Sequence, residues 1–105
     1  MTDLQHKTFI AVLEQEKMPL PIREYRFSPE RQWRADYCWP SYCLILEVEG
    51  GVWGQGRHTR GSGFMKDMDK YNEMAVLGFK LIRTTPSLIS KRATIELIKR
   101  AMQHV

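Results

Sequence analysis

The sequence predicts an α/β domain on a mixed sheet, in the order helix, three strands, helix, strand, helix (αβββαβα). Three observations carry this. Apolar residues recur with a helical period near both ends of the chain and again over residues 64–77, with strand-like runs between them. The stretch from Cys43 to Leu46 is continuously apolar, as in a strand buried on both faces of a sheet. The helical segment between the third and fourth strands is long enough to make those two parallel, whereas the short turn between the first two makes them antiparallel. At 105 residues the chain, 1–105, is expected to form a single domain, because two independent cores would need roughly 100 residues each.

Each element follows from local chemistry. Thr2 or Asp3 can cap a first helix in which Leu4, Phe9, Ile10, Val12 and Leu13 fall mostly on one face, and Pro19-Leu20-Pro21 stops it. Ile22 to Phe27 and Trp33 to Trp39 mix aromatic with alternating polar residues around the turn sequence Ser28-Pro29-Glu30, and read as an antiparallel pair. After the Pro40-Ser41 turn, a central strand runs from Cys43 to Glu49. Gly50 to Gly63 holds six of the seven glycines together with Arg57, His58 and Arg60, and is expected to be a mobile basic loop. Phe64, Met68, Tyr71 and Ala75 mark a second helix over Phe64 to Leu77, with Gly78 just past its end. Phe79 to Thr84 is a short strand, and beyond Pro86 the residues Ile95, Ile98 and Met102 mark a third amphipathic helix.

Composition narrows the class of protein. Hydrophobic residues at 43% and charged residues at 27% match a globular chain rather than a disordered one. The longest apolar stretch, Tyr42 to Leu46, is far short of the ~20 residues of a membrane helix, and the N-terminus lacks a signal-peptide apolar region. The expectation is a cytoplasmic protein with no membrane partner. Cys38 and Cys43 stand in apolar surroundings and are expected to be free, buried thiols. His6, His58 and His104 lack the spacing of a zinc site. Sixteen Lys and Arg against twelve Asp and Glu give a net charge of +4, which suits a polyanionic partner.

The most informative residues are Asp36, Glu47 and Glu49, a D-x10-E-x-E pattern on two neighbouring strands. Glu47 and Glu49 are two apart and share a face, and Asp36 on the adjacent strand can project beside them. Two like charges ~5 Å apart at an effective dielectric of ~20 repel by roughly 3 kcal/mol, so convergence calls for a cation or for protonation. Oxygen-only ligands select a hard ion, Mg²⁺ or Mn²⁺, and such an ion suits phosphodiester hydrolysis. The competing reading is that these acids are solvated or paired with arginine. The Gly50 to Gly63 loop fails as a phosphate loop, because Gly51 and Gly56 are followed by Arg57-His58 instead of Lys and Ser or Thr. Trp33 and Trp39 are assigned to the core. Glu14, Glu16 and Glu24 are further acids among which spacing selects none.

With these residues in view, the sequence resembles the PD-(D/E)XK nuclease superfamily, in the small branch related to very short patch repair endonucleases of phage and bacterial genomes. The resemblance covers about three quarters of the chain. It is carried by Glu24-Tyr25-Arg26-Phe27, Arg34-Ala35-Asp36 with Trp39-Pro40, Leu46-Glu47-Val48-Glu49-Gly50-Gly51-Val52-Trp53 and Gly56-Arg57-His58-Thr59. It continues through Phe64, Asp67, Lys70, Asn72 and Gly78-Phe79-Lys80-Leu81-Ile82-Arg83.

The resemblance implies a restriction-endonuclease-like αβββαβ core and a divalent-metal-dependent DNA endonuclease. It implies that Asp36 and Glu47 bind the metal, with the Val48 carbonyl as a further ligand. One departure stands out: the superfamily usually has lysine where Glu49 stands. Either Lys66 or Lys70 reaches in from the second helix, Lys70 being preferred, or Glu49 binds a second ion. Arg57, His58, Arg60 and Lys66 are then expected to hold DNA phosphates. A twofold dimer would supply two active sites for two strands. The absent lysine also leaves room for a noncatalytic nucleic-acid-binding module that keeps the nuclease fold.

Overall fold

The computed structural model describes residues 1–50 and 60–104, with the backbone alone for 60–64. The chain runs α1 (Asp3–Gln15), β1 (Ile22–Arg26), β2 (Arg34–Trp39), a 3₁₀ turn (Pro40–Tyr42), β3 (Leu44–Val48), α2 (Arg60–Val76), β4 (Lys80–Thr84) and α3 (Arg92–Gln103). This is the expected α/β order. Thr2 and Gln5 cap α1 reciprocally, the Gln5 N–H donating to Thr2 Oγ1 at 3.1 Å and the Thr2 N–H to Gln5 Oε1 at 2.9 Å. Both α1 and α2 end in the same device. Lys17 (φ 57°) and Gly78 (φ 86°) are left-handed, and the N–H of the residue after each, Met18 or Phe79, bonds back to Leu13 or Met74. The expectation had Pro19 stopping α1; the Lys17 reversal ends it first.

The four strands form one sheet in the order β1-β2-β3-β4, antiparallel except for the parallel β3/β4 pair made by the α2 crossover. β3 is central and buried along most of its length. Phe9 and Leu13 of α1 and Ile95 and Ile98 of α3 pack with Tyr37, Trp39, Leu44 and Leu46 on one face. Met74 of α2 packs with Ala35, Cys38 and Ile45 on the other, with Tyr71 and Leu81 at its margin. No described helix is long and apolar enough to cross a membrane.

Three expectations are corrected. α2 begins at Arg60, so Arg60 to Gly63 are helical instead of loop; once the Phe64–Val76 turns exist, each further turn adds hydrogen bonds without a new nucleation cost, even through two glycines. Cys43 is exposed, because it takes the left-handed position (φ 48°) that ends the 3₁₀ turn, and β3 starts one residue later. Trp39 is buried as expected, whereas Trp33 is only partly buried.

Candidate active site

The site begins with a fault in the sheet. On β1 and β2, Arg23 faces Tyr37 and Tyr25 faces Ala35 across the ladder. Residues two apart on a strand should share a face, yet Tyr37 packs on the α1/α3 side and Ala35 and Tyr25 on the α2 side. The rung between them is Glu24 opposite Asp36, and Glu24 is left-handed with φ 55°. A non-glycine residue is rarely held there, and inside a strand it breaks the alternation.

The same row continues into β3. The β2/β3 ladder ends at Tyr37 opposite Leu46, so the next rung joins Asp36 and Glu47. Here side chains replace the backbone ladder. The Asp36 N–H donates to Glu47 Oε2 at 2.8 Å, and the Val48 N–H donates to Asp36 Oδ2 at 2.7 Å. Each carboxylate thus satisfies an amide left free where the strands part, and the two acids are fixed side by side.

Glu47 is 5% exposed. From α2, Lys70 places Nζ 2.6 Å from Glu47 Oε1. Burial raises the Glu47 carboxyl above its ordinary value, and the Lys70 ammonium and Asp36 N–H oppose that rise. Glu49, two residues on, is held elsewhere: Tyr71 Oη donates to its Oε1 at 3.1 Å, and Arg83 Nε donates to the same oxygen. The Arg83 guanidinium lies 5.0 Å over the Tyr71 ring. Glu49 holds the Arg83 pKa above its ordinary value, and burial with the Glu49 charge raises that of Tyr71. Asp36, Glu47 and Lys70 are therefore brought together, and Glu49 stands beside them in its own cluster. Lys66, one turn before Lys70, is exposed, and Val48 lies on the backbone bonded to Asp36. Arg57 and His58 lie outside the described residues, as do Trp53 and the Arg60 side chain.

A cleft of about 210 Å³ opens beside Asp36, lined also by Arg23, Glu24, Val48, Gly50 and Pro86. Glu24 is thus the acid that spacing left unselected. The signal for it was available: a hairpin centred on Glu30 that pairs Phe27 with Trp33 pairs Glu24 with Asp36. Glu16 is instead bound by Arg92 and Lys99.

The donors at the fork are oxygens only, two carboxylates with the Val48 peptide next to them, which fits a hard divalent ion that takes one or two carboxylates and keeps its waters. Among the described residues, no third Asp, Glu, His or Cys joins them to form a larger metal-holding group. No family model, curated protein or solved structure matches this chain.

Proposed function

We propose that this chain is a divalent-metal-dependent DNA endonuclease with a restriction-endonuclease-like core of the PD-(D/E)XK kind, hydrolysing phosphodiester bonds at the Asp36–Glu47 fork. The observation that carries the reading is two acids fixed side by side at a strand fork with a lysine ammonium 2.6 Å from the more buried one. The αβββαβα order with β3 and β4 parallel supports it. Asp36 and Glu47 would hold Mg²⁺ or Mn²⁺, with Val48 contributing its carbonyl. When bound, the ion supplies a polarised phosphoryl oxygen and a water of lowered pKa.

The chain's own residues do the rest. The two backbone N–H bonds fix the carboxylates so that no reorganisation is needed when charge develops. Lys70 stands in for the lysine usual at the Glu49 position, keeping positive charge at the acid pair, where a phosphoryl group gains negative charge. Glu49 borders the site and tunes its field through Arg83. Arg57, His58, Arg60 and Lys66 would grip the DNA backbone, in one copy or a twofold pair.

Cleavage of duplex DNA with Mg²⁺ or Mn²⁺, against a chelator control, tests this. Asp36→Asn and Glu47→Gln should each lower the rate by about 100-fold or more, and unchanged cleavage in both would overturn the assignment. One observation favours a second reading: Glu49 is committed to Tyr71 and Arg83, and Glu47 is already neutralised by Lys70. A noncatalytic nucleic-acid-binding module would bind DNA tightly and show no divalent-dependent cleavage.

A further inference from the structure

The β1–β2 hairpin carries a cluster of positive charge that the acid site does not use. Arg26 and Arg34 are direct cross-strand partners, both exposed. Like charges in that relation repel. Arg31, in the turn, is also exposed, and Glu30 is the sole acid between residues 25 and 35. Among the described residues, none of the three arginines forms an ion pair with an acid. Among the described residues, this hairpin therefore holds three cations with no carboxylate paired to balance them, Arg26 and Arg34 side by side and Arg31 over Trp33.

Two of these guanidiniums are held in place. Arg26 Nε donates to the Arg31 carbonyl at 3.2 Å, and the Arg31 guanidinium sits 4.7 Å from the centre of the Trp33 ring. The turn beneath is fixed by Ser28, whose Oγ accepts from the N–H groups of Glu30 at 3.3 Å and Arg31 at 3.1 Å. Ordering before binding removes part of the entropy that long side chains otherwise lose on contact.

Placement gives the partner. Tyr25 and Ala35 pack on the α2 side, so strand alternation sends Arg26 and Arg34 to the opposite side, the side of Tyr37. They stand two residues from Glu24 and Asp36, about 7 Å along the strands. That is about two base-pair steps of rise along the axis of duplex DNA. The Trp33 indole is already engaged by Arg31 and lies nearly parallel to Phe27, with ring centres 6.5 Å apart. It braces a cation instead of offering the stacking platform that single-strand binders use.

We infer that Arg26 and Arg34, two residues from the Asp36 cleft, and Arg31, on Trp33 at the hairpin tip, contact the sugar–phosphate backbone of double-stranded DNA independently of base sequence. This rests on the reading of the chain as a DNA-handling protein and not on its cleavage chemistry.

The test is binding of a fluorescent duplex oligonucleotide to the full chain in chelator, over 50 to 200 mM salt. Three lost phosphate contacts should flatten the log–log salt slope by between about 2 and 3 in an Arg26→Ala/Arg31→Ala/Arg34→Ala variant. Over that range the wild type would lose about 40-fold more affinity than the triple variant. The corresponding triple lysine variant should keep most of the slope, because point charges suffice for counterion release. Arg100→Ala on α3 should leave the slope unchanged. A triple alanine variant with the wild-type slope, or an equal effect from Arg100→Ala, would overturn the inference. So would tighter binding of a single strand than of a duplex of the same length. Loss of cleavage in Asp36→Asn together with a wild-type slope in the triple variant sinks the docking surface alone. A wild-type chain that neither binds nor cuts DNA sinks both.

Discussion

Glu47 and Glu16 each have a lysine Nζ at 2.6 Å, and they respond in opposite directions. Glu16, just past the end of α1, is also gripped by both terminal nitrogens of Arg92 at 3.1 Å, and these bonds hold its carboxyl down to about 2. Glu47 has Lys70 alone as its ammonium partner among the described residues, and its side chain is 6% exposed against 22% for Glu16. Burial outweighs the ammonium there, and the carboxyl is pushed up. The pair distance is the same; what differs is how much water each charge has lost and how many cations replace it. Glu16 joins α1 to α3 and is content as a surface network. Glu47 is held as a costly charge, with little water and a single ammonium to offset its burial.

The sharpest way to break this comparison is to remove each lysine's partner role in turn. Lys70→Met should leave Glu47 buried without its cation and cost about 3–5 kcal/mol in urea unfolding, and Lys70→Met/Glu47→Gln should regain most of that. A Lys70→Met variant as stable as the wild type would mean that Glu47 carries no buried charge. Glu16→Gln should cost distinctly less, and its cost should shrink at 1 M salt, because Arg92 is mostly exposed. An effect on Glu16→Gln that salt leaves untouched would contradict a surface network.

The smallest effect lies in the pH dependence, where the two signs oppose. Glu16 has a folded pKa below its ordinary value of 4.5, so its stabilisation is present above that value and is lost as pH falls towards about 2. Glu47 has a folded pKa above its ordinary value, so its contribution is present at low pH and declines as pH rises from 4.5 through the raised pKa. Denaturation across pH should therefore show Glu16→Gln flattening the acid loss and Glu47→Gln flattening the decline above pH 4.5. Identical slopes in the two variants would erase the distinction.

Much of the fold was legible because it is written locally. The Ser28-Pro29-Glu30 turn, the apolar run into β3 and Gly78 after α2 are chain-adjacent signals, and each falls where expected. The left-handed residues Lys17, Glu24 and Cys43 gave no such signal, since their side chains do not favour that backbone region as glycine does. The D-x10-E-x-E spacing anticipated that Asp36 and Glu47 stand side by side. The partnership of Glu49 with Arg83 was not visible, although Arg83 faces Glu47 across the β3/β4 register, because a parallel pairing spans a whole crossover.

The sequence by itself determined the order of elements, the single-face placement of Glu47 and Glu49 and the excess of positive charge, all of which depend on period and composition. Only the tertiary structure decided that Lys70 and not Lys66 meets Glu47, that Glu49 turns to Tyr71 and Arg83, and that the alternation breaks at Glu24 and Asp36. The reason is that ion partners and carboxyl protonation depend on distance and lost water between elements remote in the chain, and neither quantity has a local period to read.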